Sequence, residues 1–168
     1  LEERHGAEAI FALGGMPLST QAVGPKILWL RRHEPELFAR TAMVHSSSDY
    51  IVYRLTGEHV IDRHTASAFN PLFDIERLEW DDRFAGDIIG LDRLPRLLDT
   101  NEIAGYVTAA ASAETGLPEG IPVTPGTIDV AAESLSVGVV EPGQMMLMYG
   151  STFFLLNLVA EHRTDPRL

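Results

Sequence analysis

The chain contains no cysteine. It therefore cannot form a disulfide bond, build a thiolate metal site or use a cysteine nucleophile. The absence fits a reducing compartment, and we expect a cytoplasmic protein. Long apolar runs are also missing, because no stretch approaches the roughly 18 to 20 apolar residues that span a bilayer. The sequence predicts a protein without a membrane partner.

Positive charge is scarce. The chain has 13 Lys and Arg residues against 24 Asp and Glu residues, and its net charge is -11. Such an acidic surface repels nucleic acid and anionic lipid, which argues against both as partners, but it is compatible with a small neutral substrate. The 168 residues, 45% of them hydrophobic, are enough for one globular domain with a core.

An initiator methionine is missing as well. The first residues, Leu1-Glu2-Glu3-Arg4-His5, do not resemble a signal peptide, and we expect the chain to be a piece of a longer protein. A domain cut from its neighbour exposes apolar surface, which favours self-association into a homo-oligomer.

The closing third carries the most informative pattern. Ile121 to Thr124 is typical of a buried strand, and a helix is predicted from Asp129 to Ser136. Ligands of open α/β sheets bind beyond the carboxyl ends of strands, where Asp129 would lie. Aspartate is also a favoured helix N-cap, and the pattern alone favours this second interpretation. Asp129 is therefore either a catalytic carboxylate that takes a proton or a helix cap.

Gly150-Ser151-Thr152 follows a predicted strand. Such a turn can offer backbone N–H groups and hydroxyls to phosphate, although it is also an ordinary hairpin turn and matches neither a Walker A loop nor a dinucleotide fingerprint. An acid at one strand end and a hydroxyl-rich turn after another suit phosphoryl transfer.

Other polar residues have simpler interpretations. Lys26 and Trp29 lie on one side of a predicted helix. We interpret them as a surface lysine and a core tryptophan. His45, Ser47 and Asp49 are too close in sequence for a hydrolase triad and are interpreted as helix-capping residues. No histidines have metal-ligand spacing, so we predict no metal site within the chain.

The predicted elements indicate an α/β fold, because strands and helices alternate in the closing half. Residues 1–13 are predicted as one helix, and residues 65–73 as a loop.

Ordered motifs connect the chain to a known family. They are Lys26-Ile27-Leu28-Trp29-Leu30 with His33-Glu34-Pro35-Glu36, Asp49 to Glu58, Thr65-Ala66-Ser67, Thr115 to Val123, Gly126 to Asp129, and Val140-Glu141-Pro142-Gly143. With these motifs the chain resembles the FGGY family of carbohydrate kinases, and xylulokinase-like members most closely. Several motifs in family order are far more specific than any one of them.

The resemblance implies a partial ribonuclease-H-like, or actin-like ATPase, domain. Residues 1–143 would be the later part of the N-terminal domain, and residues 144–168 a phosphate-turn hairpin and the start of the C-terminal domain. The implied activity is ATP-dependent phosphorylation of a sugar hydroxyl, with Mg²⁺, and a pentulose such as xylulose is the favoured substrate.

The resemblance also implies roles for particular residues. Asp129 would be the catalytic base on the sugar hydroxyl. Gly150, Ser151 and Thr152 would contact nucleotide phosphates, and Gln21 and Val130 would lie near the sugar. Many family members have Asn or Gln where this chain has Val130, so one polar contact to the sugar is missing.

The family's N-terminal phosphate loop and adenosine-binding domain are not in this chain, so we expect the fragment alone to be inactive.

Two alternative functions remain open. One is a non-catalytic sugar-binding module or pseudokinase. The other is an actin- or chaperone-type ATPase, which the sugar-kinase motifs disfavour.

Overall fold

The computed structural model describes residues 1–150, 153–161 and 163–164. Within these residues, none of the helices is long and apolar enough to cross a membrane. The helices are α1 Glu2–His5, α2 Ala7–Gly14, α3 Val23–His33, α4 Pro35–Arg40, α5 Ser47–Thr56, α6 Arg63–Ser67, α7 Ala85–Ile88, α8 Ala109–Thr115 and α9 Asp129–Ser136, and a 3₁₀ turn covers Leu91–Arg93. The strands are β1 Val60–Asp62, β2 Phe73–Asp74, β3 Glu79–Trp80, β4 Arg96–Leu98, β5 Gly105–Tyr106, β6 Pro122–Val123, β7 Met145–Tyr149 and β8 Phe153–Asn157.

The strands pair two by two. β1 and β4 are parallel, and the chain between them passes through α6 and α7. The other pairs, β2 with β3, β5 with β6 and β7 with β8, are antiparallel. A parallel pair joined through helices is typical of α/β proteins, as the sequence predicted.

Helices cover both faces of β1. Ile61 packs into the main core with Ile27 of α3 and Ile88 of α7, whereas its neighbour Val60 packs with Val52 of α5. Successive strand residues point to opposite faces, so this division places helices on both sides of the parallel pair. The complete main core is Ile27, Leu28, Ile61, Ala66, Phe69, Leu72, Phe73, Ala85, Ile88, Ile89 and Leu94.

Three sequence predictions of secondary structure are wrong. Residues 65–73 are not all loop, because α6 extends to Ser67 and its first N–H groups are capped by the buried Asp62. The predicted helix over residues 1–13 is divided at Gly6, which has a φ of 83°. The strand near residue 121 is not buried, because it pairs with β5 alone and leaves Ile121 40% exposed.

The β7–β8 hairpin has two different faces. Met146 is buried on the inner face, and its partner Leu156 lies opposite on β8. On the outer face, Met145, Leu147 and Tyr149 are exposed. The inner face forms part of the cavity described next, through Phe154 and Leu156.

Candidate functional site

An open cavity of about 880 Å³ lies between α9, α6 and β8. Most of its lining is apolar, with hydroxyl groups and one imidazole among the polar contributions. The lining residues are Met16, His64, Ser67, Thr100, Thr127, Ile128, Val130, Ala131, Ala132, Ser134, Leu135, Ser136, Val139, Phe154, Leu156 and Leu158. Its volume is within the range of small-molecule sites.

Asp129 stands at the edge of this cavity as the first residue of α9. Its side chain is exposed, and the residues on either side of it, Ile128 and Val130, line the cavity. Its Oδ1 accepts a hydrogen bond from the Val130 N–H at 2.8 Å, whereas Oδ2 has no hydrogen bond to any residue that the structure describes. One carboxylate oxygen is thus oriented by the helix, and the other is exposed beside the cavity, of which Asp129 is not itself a lining residue.

The N-cap interpretation of Asp129 is wrong. The cap position is Ile128, which supplies no side-chain hydrogen bond, and Asp129 is already helical. A capping side chain accepts from an N–H two or three residues ahead, whereas Asp129 accepts from the next residue. The helix itself is the predicted one, over Asp129–Ser136.

The segment before Asp129 is tied to the centre of the fold. The Thr127 hydroxyl donates to Oδ1 of Asp62 at 3.1 Å, and Asp62 is fully buried. Gly126 lies so close to α5 that a Cβ atom added there would be 2.6 Å from the Ser48 Cβ atom. Sequence reasoning missed Asp62. The available signal was the residue type of Asp62 itself, because an aspartate three positions before Thr65 is suited to cap a helix.

The first turn of α5 borders this segment. Ser46 and Asp49 form a reciprocal capping box, so the sequence interpretation of Asp49 as a capping residue is confirmed. Burial raises the pKa of the Asp49 carboxyl, and nearby Asp62 acts in the same direction, whereas hydrogen bonds from Ser46 oppose the shift. The fold therefore holds a second buried carboxyl beside Asp62.

We expect the Asp49→Asn variant to change how stability depends on pH. Because the pKa of Asp49 is raised, the folded state binds its proton more tightly than the unfolded chain does. The free energy of unfolding therefore falls as pH rises from the ordinary pKa of 3.8 through the raised pKa of the folded state. Asparagine cannot ionise, and its carbonyl oxygen can still accept from Ser46. Urea unfolding at a series of pH values should show the variant gaining stability relative to wild type as pH rises. The exposed Asp82→Asn change is the control, and an equal gain there would contradict the expectation.

The other predicted site residues have different positions. Val130 lines the cavity. Gly150 is exposed where β7 ends, and Ser151 and Thr152 lie outside the described residues. Gln21 is exposed and does not line this cavity, and its carbonyl oxygen accepts from Lys26 Nζ at 3.1 Å. Of the predicted residues, Val130 therefore lines the cavity and Asp129, its neighbour in the chain, lies beside it, and the roles of all these residues stay predictions.

The interpretation of Trp29 as a core residue is wrong. Its side chain is 54% exposed and stacks on His33 one turn later, with ring centroids 4.6 Å apart. Ile27 and Leu28 of the same helix face the core instead. Helical spacing placed Trp29 beside Lys26 but did not determine which side of the helix would be buried.

The chain is similar to known proteins along most of its length. The family model "FGGY family of carbohydrate kinases, N-terminal domain" matches residues 1–136. The chain is 32% identical to the autoinducer-2 kinase of Enterobacter sp. (strain 638) over 94% of its length, and 31% identical to the xylulose kinase of Bacillus subtilis (strain 168) over 84%. It spans 29% and 28% of those proteins.

A solved structure agrees with these matches. The crystal structure of xylulose kinase from Rhodospirillum rubrum superimposes with a TM-score of 0.93 at 34% identity, covering 99% of this chain and 34% of that one. The fold is accordingly a partial ribonuclease-H-like domain of the actin-like ATPase class, as predicted. The chain belongs to the FGGY family of carbohydrate kinases.

Proposed function

We propose that the complete protein containing this chain transfers a phosphoryl group from ATP to a hydroxyl of a sugar, with Asp129 as the catalytic base. The observation that carries the proposal is the carboxylate of Asp129 at the edge of the cavity, between two lining residues. The cavity has hydroxyl and imidazole groups that can bind a polyhydroxylated ligand, from Ser67, Thr100 and His64.

Asp129 would orient the acceptor hydroxyl and finally take its proton. A carboxylate is a weak base, but the phosphoryl-transfer transition state is loose and the proton leaves late, so positioning contributes more than basicity. Val130 would contact the sugar through apolar surface alone.

ATP would supply the γ-phosphoryl group. On this chain, the exposed Gly150 at the end of β7 fits close approach of phosphate oxygens, since glycine has no side chain to obstruct them. Ser151 and Thr152, outside the described residues, would add hydroxyls. Among the described residues, no three or more His, Asp or Glu side chains form a group that could hold Mg²⁺. No step on this part of the chain is therefore assigned to the ion.

The acceptor has two candidates with similar support. Xylulose is favoured by the resemblance to xylulokinases and by the Rhodospirillum rubrum structure. The substrate of autoinducer-2 kinases is favoured by a match of 32% identity over 94% of the chain. The cavity, at about 880 Å³, has room for a sugar-sized acceptor.

The test is a coupled ADP-release assay on the complete protein, with xylulose, other ketoses, glycerol and autoinducer-2 as acceptors. We expect turnover of at least one acceptor to exceed ATP hydrolysis without acceptor. The 168-residue chain is assayed in parallel and is expected to be inactive. Sugar binding by calorimetry without turnover of any acceptor would instead support the sugar-binding module or pseudokinase. ATP hydrolysis that no acceptor stimulates would support an actin- or chaperone-type ATPase.

A further inference from the structure

We propose that Asp62, Thr127, Gly126 and Ser48 form a clamp that positions Asp129 for proton transfer, and that the Thr127 hydroxyl is its key contact. The inference rests on the proposed function of Asp129 as the base. None of the four residues needs to contact the substrate for this role, so they are positioning residues.

The first half of the clamp is a hydrogen bond to a buried carboxylate. Oδ1 of Asp62 accepts from the Thr127 hydroxyl at 3.1 Å, and from the His64 and Thr65 N–H groups at 3.1 and 3.2 Å. Asp62 ends β1, the strand with helices on both faces, and no part of its side chain is exposed. The Thr127 hydroxyl and two backbone N–H groups thus converge on one buried oxygen, which ties the segment before α9 to the end of β1.

The second half of the clamp is a close packing contact. Gly126 lies against Ser48 in the first turn of α5, where any added Cβ atom would come within 2.6 Å of the Ser48 Cβ atom. Ser48 is itself held in place, because its hydroxyl is 3.0 Å from that of the N-cap residue Ser46. The backbone before α9 thus contacts two separate elements, β1 through Thr127 and α5 through Gly126.

These contacts hold the residues that directly precede Asp129 in the chain. Thr127 is two residues from Asp129, and α9 has no side-chain cap of its own. The beginning of the helix therefore depends on the clamp for its position. Thr127 itself lines the cavity, but a valine there keeps nearly the same shape. Because a displacement of about 1 Å can cost about a hundredfold in rate, losing the hydroxyl should reduce catalysis with little change in the shape of the cavity.

The test uses two substitutions of Thr127 in the complete protein. Thr127→Val keeps the shape of the side chain but removes the donor, and Thr127→Ser keeps the donor. We expect Thr127→Val to lower kcat by about tenfold to a hundredfold with the sugar KM changed by less than about threefold. Thr127→Ser should retain at least about a third of wild-type kcat. The matched control is Thr41→Val, which removes another threonine hydroxyl. That hydroxyl lies at the end of α4 and donates to Leu37 O at 3.0 Å, not to a residue of the clamp.

Each result decides the proposal. Normal kcat in Thr127→Val, equal losses in Thr127→Val and Thr127→Ser, or an equal loss in Thr41→Val would overturn it. A rise in KM with unchanged kcat would overturn it as well. The clamp must also act through the base, so Thr127→Val should have little further effect on the residual turnover of Asp129→Asn, and a full additional loss there would contradict the inference.

The same variants separate the clamp from the proposed function. If Asp129→Asn keeps near-normal turnover, the proposed role of Asp129 fails. If Asp129→Asn is inactive and Thr127→Val is normal, only the clamp fails. Thermal unfolding of every variant accompanies the kinetics, and we expect Thr127→Val to remain within about 3 °C of wild type.

Discussion

Substitution of Asp129 by alanine in the complete protein is expected to lower kcat by about 10² to 10⁴-fold while sugar binding partly survives. The carboxylate accepts one hydrogen bond from its own helix and leaves Oδ2 open at the cavity edge, so its loss removes the acceptor for the hydroxyl proton but little of the cavity wall. Steady-state kinetics gives kcat, and calorimetric titration with the sugar gives the binding constant. The isosteric Asp129→Asn change should have a similar effect, because the amide cannot take the proton.

The control for this prediction lies on the same helix. Glu133 is exposed one turn after Asp129 and, like Asp129, lies between two lining residues, Ala132 and Ser134, without lining the cavity itself. Glu133→Gln removes one negative charge from α9, as Asp129→Asn does, and we expect its kcat to stay within about twofold of wild type. Equal losses in the two variants would mean that the charge of the helix matters and not the carboxylate at its start. Near-normal turnover in Asp129→Ala would refute its role as the base.

Substitution of Gly24 by alanine is expected to destabilise the fold by about 2 kcal/mol, against the usual direction for a glycine in a helix. Alanine normally stabilises a helix interior by about 1 kcal/mol relative to glycine. At Gly24, however, the added Cβ atom would lie 2.6 Å from the Asn70 carbonyl oxygen and 2.9 Å from Pro71 Cδ. Because the closest atom belongs to the backbone, α3 or the Asn70–Pro71 segment would have to move.

Gly86 provides the matched comparison. It lies in α7, and a Cβ atom added there would meet no heavy atom within 4 Å. Gly86→Ala should therefore be neutral or stabilise the chain by up to about 1 kcal/mol. Urea unfolding of both variants gives the two free energies of unfolding, and the prediction fails if Gly24→Ala is as stable as Gly86→Ala.

Local signals in the sequence predicted much of the helical structure. Ser46 and Asp49 indicated the start of α5, and Gly57 ends it in the left-handed conformation that glycine adopts easily. The helix at Asp129–Ser136 was predicted at its observed bounds. These signals act within a few residues, through caps and backbone preferences, and so they are visible without the fold.

The wrong predictions depended on what lies across the fold. Trp29 has an apolar ring at helical spacing, but the side of α3 that is buried is decided by the elements packed against Ile27 and Leu28. Ile121 is apolar too, yet its strand pairs only with β5 and stays exposed. Hydrophobic pattern specifies which residues can be buried, whereas neighbouring elements decide which of them are.

For the candidate site, the sequence alone determined the start of α9, the carboxylate at that start and the family motifs around it. Only the tertiary structure decided that Thr127 would bond to Asp62, which is 65 residues away, and that Gly126 would pack against Ser48. The reason is that a cap or turn is specified by neighbouring residues, whereas a contact between distant segments exists only after β1, α5 and α9 have packed together.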